Sequence, residues 1–160
     1  MPAYTLRPAT PTDVPAIFGL IRALADYERL LHEVTGDEMS LASHLFGPEP
    51  KAEVVVGEVA GEVVGFALYF TNYSTFLTRP GLYLEDLFVL PEHRGIGLGK
   101  ALLKRLAAIA VERGYGRLEW SVLDWNEPSL AFYRAQGAVP MDEWTVHRVT
   151  GEALHRLAAD

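Results

Sequence analysis

The chain has 160 residues, a formal net charge of −7, 49% apolar residues and no cysteine, which suits one domain spanning 1–160 with a sizeable core. That composition excludes a disulfide-stapled module, a Cys-ligated metal centre, a catalytic thiol, a disordered chain and a helix apolar enough to span a membrane. The acidic balance argues against nucleic-acid partners and for cationic ones, and an N-terminus without a basic-then-apolar run leaves a soluble cytoplasmic protein, with no signal peptide, as the expectation.

Ala3–Pro8 reads as a short first strand. Thr10-Pro11-Thr12-Asp13 starts a helix, because Thr10 can cap, Pro11 suits the first helical position and Asp13 stands where a capping-box acid would. Val14, Ile17, Leu20, Ile21, Leu24 and Tyr27 then recur at helical spacing. A second helix covers Asp37–Phe46 and is stopped by Gly47-Pro48. Glu53–Val59 and Glu62–Phe70, rich in Val and aromatics, form a hairpin around Ala60-Gly61. Thr71–Gly81 reads as a loop, and Leu82–Leu90 as a strand closed by Pro91. Ile96–Arg113 is a second long helix with Gly114 as its C′ residue. Arg117–Leu123 follows as a strand, Pro128–Ala135 as a short helix ended by Gly137, Glu143–Val149 as a last strand and Glu152–Ala159 as a terminal helix. The predicted fold class is α/β of the mixed α+β kind, a central twisted mixed sheet flanked by helices.

The strand Leu82–Leu90 runs into Arg94-Gly95-Ile96-Gly97-Leu98-Gly99-Lys100 and the long helix. Strand, glycine turn and helix start together make an anion site, since unpaired N–H groups and the helix dipole face outward there. The Rossmann spacing fails because position 100 is Lys100, and the Walker spacing fails because positions 94 and 101 are Arg94 and Ala101. What fits is Arg-x-x-Gly-x-Gly, on Arg94, Gly97 and Gly99. The plainer alternative is a glycine turn that only permits a tight corner, and it explains neither Arg94 nor Lys100.

Arg94–Gly99 after an apolar strand resembles the acyl-CoA pyrophosphate loop of the GNAT N-acetyltransferases. Tyr83-Leu84-Glu85-Asp86-Leu87-Phe88-Val89, Trp125-Asn126-Glu127-Pro128-Ser129 and Phe132-Tyr133 are similar to the diamine (spermidine/spermine) branch, as are Arg7-Pro8-Ala9-Thr10 and Ala25-Asp26-Tyr27-Glu28. The resemblance implies the GNAT fold, an acyl-CoA cleft between splayed strands, acetyl-CoA as co-substrate and direct attack by an amine in a ternary complex. It also implies a homodimer. It assigns acetyl-CoA contacts to Leu87, Phe88, Val89, Arg94, Gly95, Ile96, Gly97, Leu98, Gly99, Lys100, Asn126, Pro128, Ser129 and Tyr133, with Phe88 and Val89 acting through their backbone.

Acetyl transfer to an amine of ordinary pKa about 10.4 needs a proton acceptor, stabilisation of the carbonyl oxygen and a proton for the leaving thiolate. Glu85 is an acid in an otherwise apolar strand, and burial would raise its pKa toward that of a useful base. The resemblance makes it the proton acceptor, through a water; pleat alternation also allows a partly exposed strand acid on the face of Tyr83. Asp86 falls on the opposite face of a regular strand and has no role there unless a bulge intervenes. Tyr133 is a core aromatic beside Phe132 by spacing alone, and the thiolate's proton donor by resemblance. Asn126 and Ser129 are helix caps first and acetyl-CoA contacts second. Tyr27, Glu28, Asp124 and Glu143 are either an acidic rim for a cationic acceptor, with Tyr27 adding a cation–π contact, or solvated surface groups. Trp120 and Trp144 read as packing. The histidines show no metal-ligand spacing, so no metal is expected. Asn72–Pro80 is a natural specificity loop. The expected function is acetyl transfer to a polyamine or diamine. The rivals are the same chemistry on thialysine, another aminoalkyl compound or a peptide amine, and a non-enzymatic CoA-binding module, against which the pair Glu85 and Tyr133 weighs.

Overall fold

The computed structural model describes residues 3–159. The chain divides into two compact units, Met1–Ser121 and Val122–Asp160. In chain order the first unit holds β1 (Thr5–Pro8), α1 (Val14–Tyr27), α2 (Glu38–Phe46), β2 (Glu53–Val59), β3 (Glu62–Ser74), β4 (Arg79–Val89), α3 (Leu98–Glu112) and β5 (Leu118–Trp120). The strands form one sheet in the order β1-β2-β3-β4-β5. The first three pairings are antiparallel and β4–β5 is parallel, so the sheet is mixed as predicted.

α1 and α2 cover one face. Ile17, Leu20 and Leu45 pack there on Val54, Val56, Phe66 and Phe88. α3 brings Leu98, Leu102 and Leu106, all fully buried, to the sheet. Two glycines let it come close. Gly57 and Gly65 stand opposite each other in the β2–β3 register. A Cβ on Gly57 would meet the Leu98 side chain at 2.6 Å, and one on Gly65 would meet it at 3.3 Å. The first residue of α3 therefore seats on a patch of bare backbone, which pins the helix start beside the end of β4.

The N-terminal helix is entered through a 3-10 turn, Pro11–Asp13, in which the Thr10 N–H donates to Asp13 Oδ2 at 2.7 Å. Arg7 on β1 donates to both Asp13 oxygens, at 2.7 and 2.9 Å, and pairs with Glu58 on β2. This clamp fastens the first helix to the edge of the sheet. Asp37 caps α2 by accepting from the Ser40 N–H, and Gly114 follows α3 with φ 73°, as a C′ glycine does.

Two expectations for the elements of this unit fail. Thr71–Gly81 is not a loop: β3 and β4 remain paired through Thr71–Leu82, Asn72–Gly81, Tyr73–Pro80 and Ser74–Arg79, which leaves only 75–78 as the turn. Asn, Ser, Pro and Gly are poor strand formers, but a continuous partner strand supplies the ladder that propensity does not. The supposed specificity loop is thus a protruding hairpin, with Phe76 almost fully exposed at its tip. The strand expected at Arg117–Leu123 shrinks to the three residues of β5.

The second unit holds α4 (Glu127–Ala135) and α5 (Gly151–Ala159). Glu143–Val149, read as a strand, has no regular structure and is exposed throughout. A strand exists only as half of a ladder, and the described part of this unit offers no second strand. Trp144, read as packing, is 73% exposed. Among the described residues no helix is long and apolar enough to cross a membrane.

Candidate active site

The glycine turn is built as its sequence requires. After a 3-10 turn at Pro91–His93, Gly95 and Gly97 take φ of 83° and 87°, the left-handed region that glycine enters without penalty. The Ala101 N–H is bonded to the Gly97 carbonyl. The amides of Leu98, Gly99 and Lys100 therefore precede any intrahelical acceptor and remain available. Nothing crowds the turn: a Cβ on Gly95 would meet no atom within 4 Å, and one on Gly97 only the Tyr4 hydroxyl at 3.9 Å. Lys100 is exposed, and Leu98 is buried, so Leu98 can contribute only its backbone. An open cradle of free amides at a helix start beside an exposed ammonium fits the phosphates of a coenzyme such as acetyl-CoA.

Arg94 makes three contacts within the first unit. Its Nε donates to the Val89 carbonyl at 2.9 Å, and its guanidinium carbon lies 5.4 Å from the Tyr27 ring centroid and 5.2 Å from that of Phe88. The charge that follows the end of β4 is thus held beside α1 and β4.

β4 and β5 are paired only over Leu82–Leu84 and Leu118–Trp120. No residue of β5 stands in register with Glu85–Val89, so the two strands part where the acidic residues begin. At that point β4 is also bulged. Tyr69 pairs with Leu84 and Leu68 with Asp86, which leaves Glu85 without a partner in the ladder. The extra residue sets the two acids in different surroundings. Glu85 is exposed, as pleat alternation allowed, while Asp86, given no role unless a bulge intervened, is the more buried of the two. Burial foremost, then the neighbouring Glu85 and Glu28 carboxylates, push the Asp86 carboxyl up to about 7. Burial also raises Glu28, the residue after α1. Glu28, Glu85 and Asp86 thus form one acidic group beside the parting strands. Single-strand periodicity missed Asp86 because a bulge depends on the partner's register.

In the second unit Asn126 is 4% exposed, and its side chain accepts from the Ser129 N–H at 3.4 Å, which makes it the cap of α4. Pro128 lies in the first turn. Tyr133 is half-buried with its ring 5.4 Å from that of Phe132. Asp124 and Glu143 are exposed. No group of metal-binding side chains occurs among the described residues. A cavity of about 960 Å3 lined by Phe46, Val55, Tyr69, Ile109 and Arg113 lies in the first unit and contains none of the candidate site residues.

Residues 20–138 match the acetyltransferase (GNAT) family. The chain belongs to that family. It is therefore an N-acetyltransferase, and the family implies acetyl-CoA as co-substrate, in keeping with the open glycine cradle. The chain is similar to the thialysine N-epsilon-acetyltransferase of Bos taurus, 39% identical over 164 residues and covering 96% of each protein. It is 34% identical over 197 residues to the L-ornithine N5-acetyltransferase of Arabidopsis thaliana, with 95% of this chain and 86% of that protein covered. Among solved structures, an integron cassette protein from the mobile metagenome of V. cholerae superposes with a TM-score of 0.82 at 26% identity, covering 99% of both chains. The GNAT fold read from the motifs is thereby confirmed.

Proposed function

We propose that this acetyltransferase moves the acetyl group of acetyl-CoA onto the terminal amine of a small, flexible aminoalkyl molecule of the polyamine, thialysine or ornithine kind. One observation carries the reading: Glu28, Glu85 and Asp86 gather where β4 parts from β5. Acids grouped there attract an ammonium and align it with the strand end. Acetyl-CoA supplies the acetyl group as an activated thioester. The amides of 97–100 and the Lys100 ammonium hold its phosphates, and the backbone of Leu87, Phe88 and Val89 receives the acyl arm. Asp86 takes the proton that the acceptor ammonium must lose, because a carboxyl near 7 is matched to the working pH. Glu85, being exposed, orients the ammonium and relays its proton. Tyr133 donates a proton to the departing sulfur through its phenol hydroxyl. Asn126, Pro128 and Ser129 shape the start of its helix. Residues 1–160 act as one catalytic domain, and the chain works as a homodimer.

The test is free-thiol release from acetyl-CoA against spermidine, putrescine, thialysine, ornithine, lysine and a basic peptide. The chain itself has no cysteine, so it contributes no thiol background. Turnover with the small amines and not the peptide is expected. Preference for the peptide overturns the acceptor class. Tight acetyl-CoA binding without turnover of any amine would make the protein a binding module.

A further inference from the structure

Arg94 is exposed enough to reach solvent, yet three contacts commit it inward. Its Nε is bonded to the carbonyl of Val89, the last residue of β4. Its guanidinium lies over the ring of Phe88 on the same strand and over the ring of Tyr27, the last residue of α1. The next residue after Tyr27 is Glu28, one of the three grouped acids. The next residue after Arg94 is Gly95, the first left-handed glycine of the cradle. A single side chain therefore bridges the donor's cradle and the acceptor's acids. Its delocalised, planar charge suits this: guanidinium stacks on aromatic faces while still donating in its plane, which an ammonium does not do.

We infer that Arg94 is a positioning residue, tying the glycine turn to the Tyr27–Glu28 corner so that order at the donor loop and order at the acceptor wall depend on each other. Lys100, not Arg94, is then the side-chain cation for the phosphates. The tie rests on the functional reading above only for its meaning to catalysis; the contact itself is tested without any amine.

The experiment is hydrogen exchange of the segment 91–100 in the full chain, with acetyl-CoA affinity by calorimetry, for Tyr27→Ala, Tyr27→Phe, Arg94→Ala, Arg94→Lys and the double Tyr27→Ala/Arg94→Ala. Circular dichroism serves as the control for folding, and Arg94→Lys keeps the test alive should an alanine variant unfold. Tyr27→Ala, far from the loop in sequence, should speed exchange of the loop about two- to fivefold, the value of one partly exposed cation–π contact. It should weaken acetyl-CoA binding by a similar factor. Arg94→Ala should do as much or more, Arg94→Lys should not rescue it, and the double variant should be no worse than Arg94→Ala alone. Tyr27→Phe keeps the ring and should be silent. Loop exchange unchanged in Tyr27→Ala, effects that multiply in the double variant, or full rescue by Arg94→Lys would overturn the tie and return Arg94 to the role of phosphate counter-ion. The thiol-release panel reads separately: coupling at the loop without turnover of any amine would sink the functional reading and leave the tie standing.

Discussion

At the scale of single residues, Asp86 carries most of the weight. Its carboxyl stays protonated to about 7, so it accepts a proton only above that pH. The acceptor's kcat/KM should fall about tenfold per unit below pH 7, and Asp86→Asn should abolish that limb while lowering the rate about 10²- to 10⁴-fold. The same burial costs stability. The folded carboxyl holds its proton more tightly than the unfolded one, so it favours folding below about pH 4 and loses that advantage as pH rises through 7. Asp86→Asn should therefore raise Tm at pH 8 and leave it nearly unchanged at pH 4; an equal rise at both would show that the carboxyl is not buried as a charge. Tyr133 is tested by Tyr133→Phe, which should lower kcat at least tenfold and leave acetyl-CoA affinity within about twofold by calorimetry. Normal turnover would remove the phenol from the mechanism.

At the scale of elements, the site depends on where α3 begins. Leu98 is fully buried against bare backbone at Gly57 and Gly65. Gly57→Ala puts a methyl within 2.6 Å of a Leu98 methyl, and Leu98 is fully buried, so it has to repack or the helix start has to shift. The variant should lose about 1–3 kcal/mol in urea unfolding and bind acetyl-CoA more weakly, since the cradle amides move with it. Unchanged affinity would mean that the turn is anchored elsewhere. The other joint is the clamp of Arg7, Asp13 and Glu58. Hydrogen bonding and charge from Arg7, against the opposing effect of burial, hold the Asp13 carboxyl down to about 2. Its stabilisation is present above the unfolded pKa of about 3.9 and is lost as pH falls through 2. Asp13→Ala should cost about 1–3 kcal/mol at neutral pH, with the deficit against the parent chain narrowing below pH 4. A deficit that stays constant to pH 2 would assign the loss to packing.

At the scale of the whole molecule, a dimer is expected, and light scattering should return twice the chain mass of 17.7 kDa; a value of 17.7 kDa would leave the homodimer without support. What the sequence by itself determined is local. Helical spacing placed α1, α2 and α3, because the spacing of 3.6 residues is set within one segment. Arg94, Gly97 and Gly99, after an apolar strand and at a helix start, announced the family. The hairpin Glu53–Val59 and Glu62–Phe70 was legible because its turn is two residues long. What only the tertiary structure decided depends on a partner. Most of Thr71–Gly81 became strand because β3 and β4 supply each other's ladder, while Glu143–Val149 pairs with no strand among the described residues. The bulge at Glu85 is a mismatch between two strands and has no signature in either. It left Glu85 exposed and Asp86 the more buried of the two acids. Arg94 carried a charge that its neighbours in sequence assigned to phosphate. Tyr27 and Phe88, brought beside it only by folding, lie under its guanidinium, because a guanidinium settles on whichever ring faces and carbonyl the fold places within its reach.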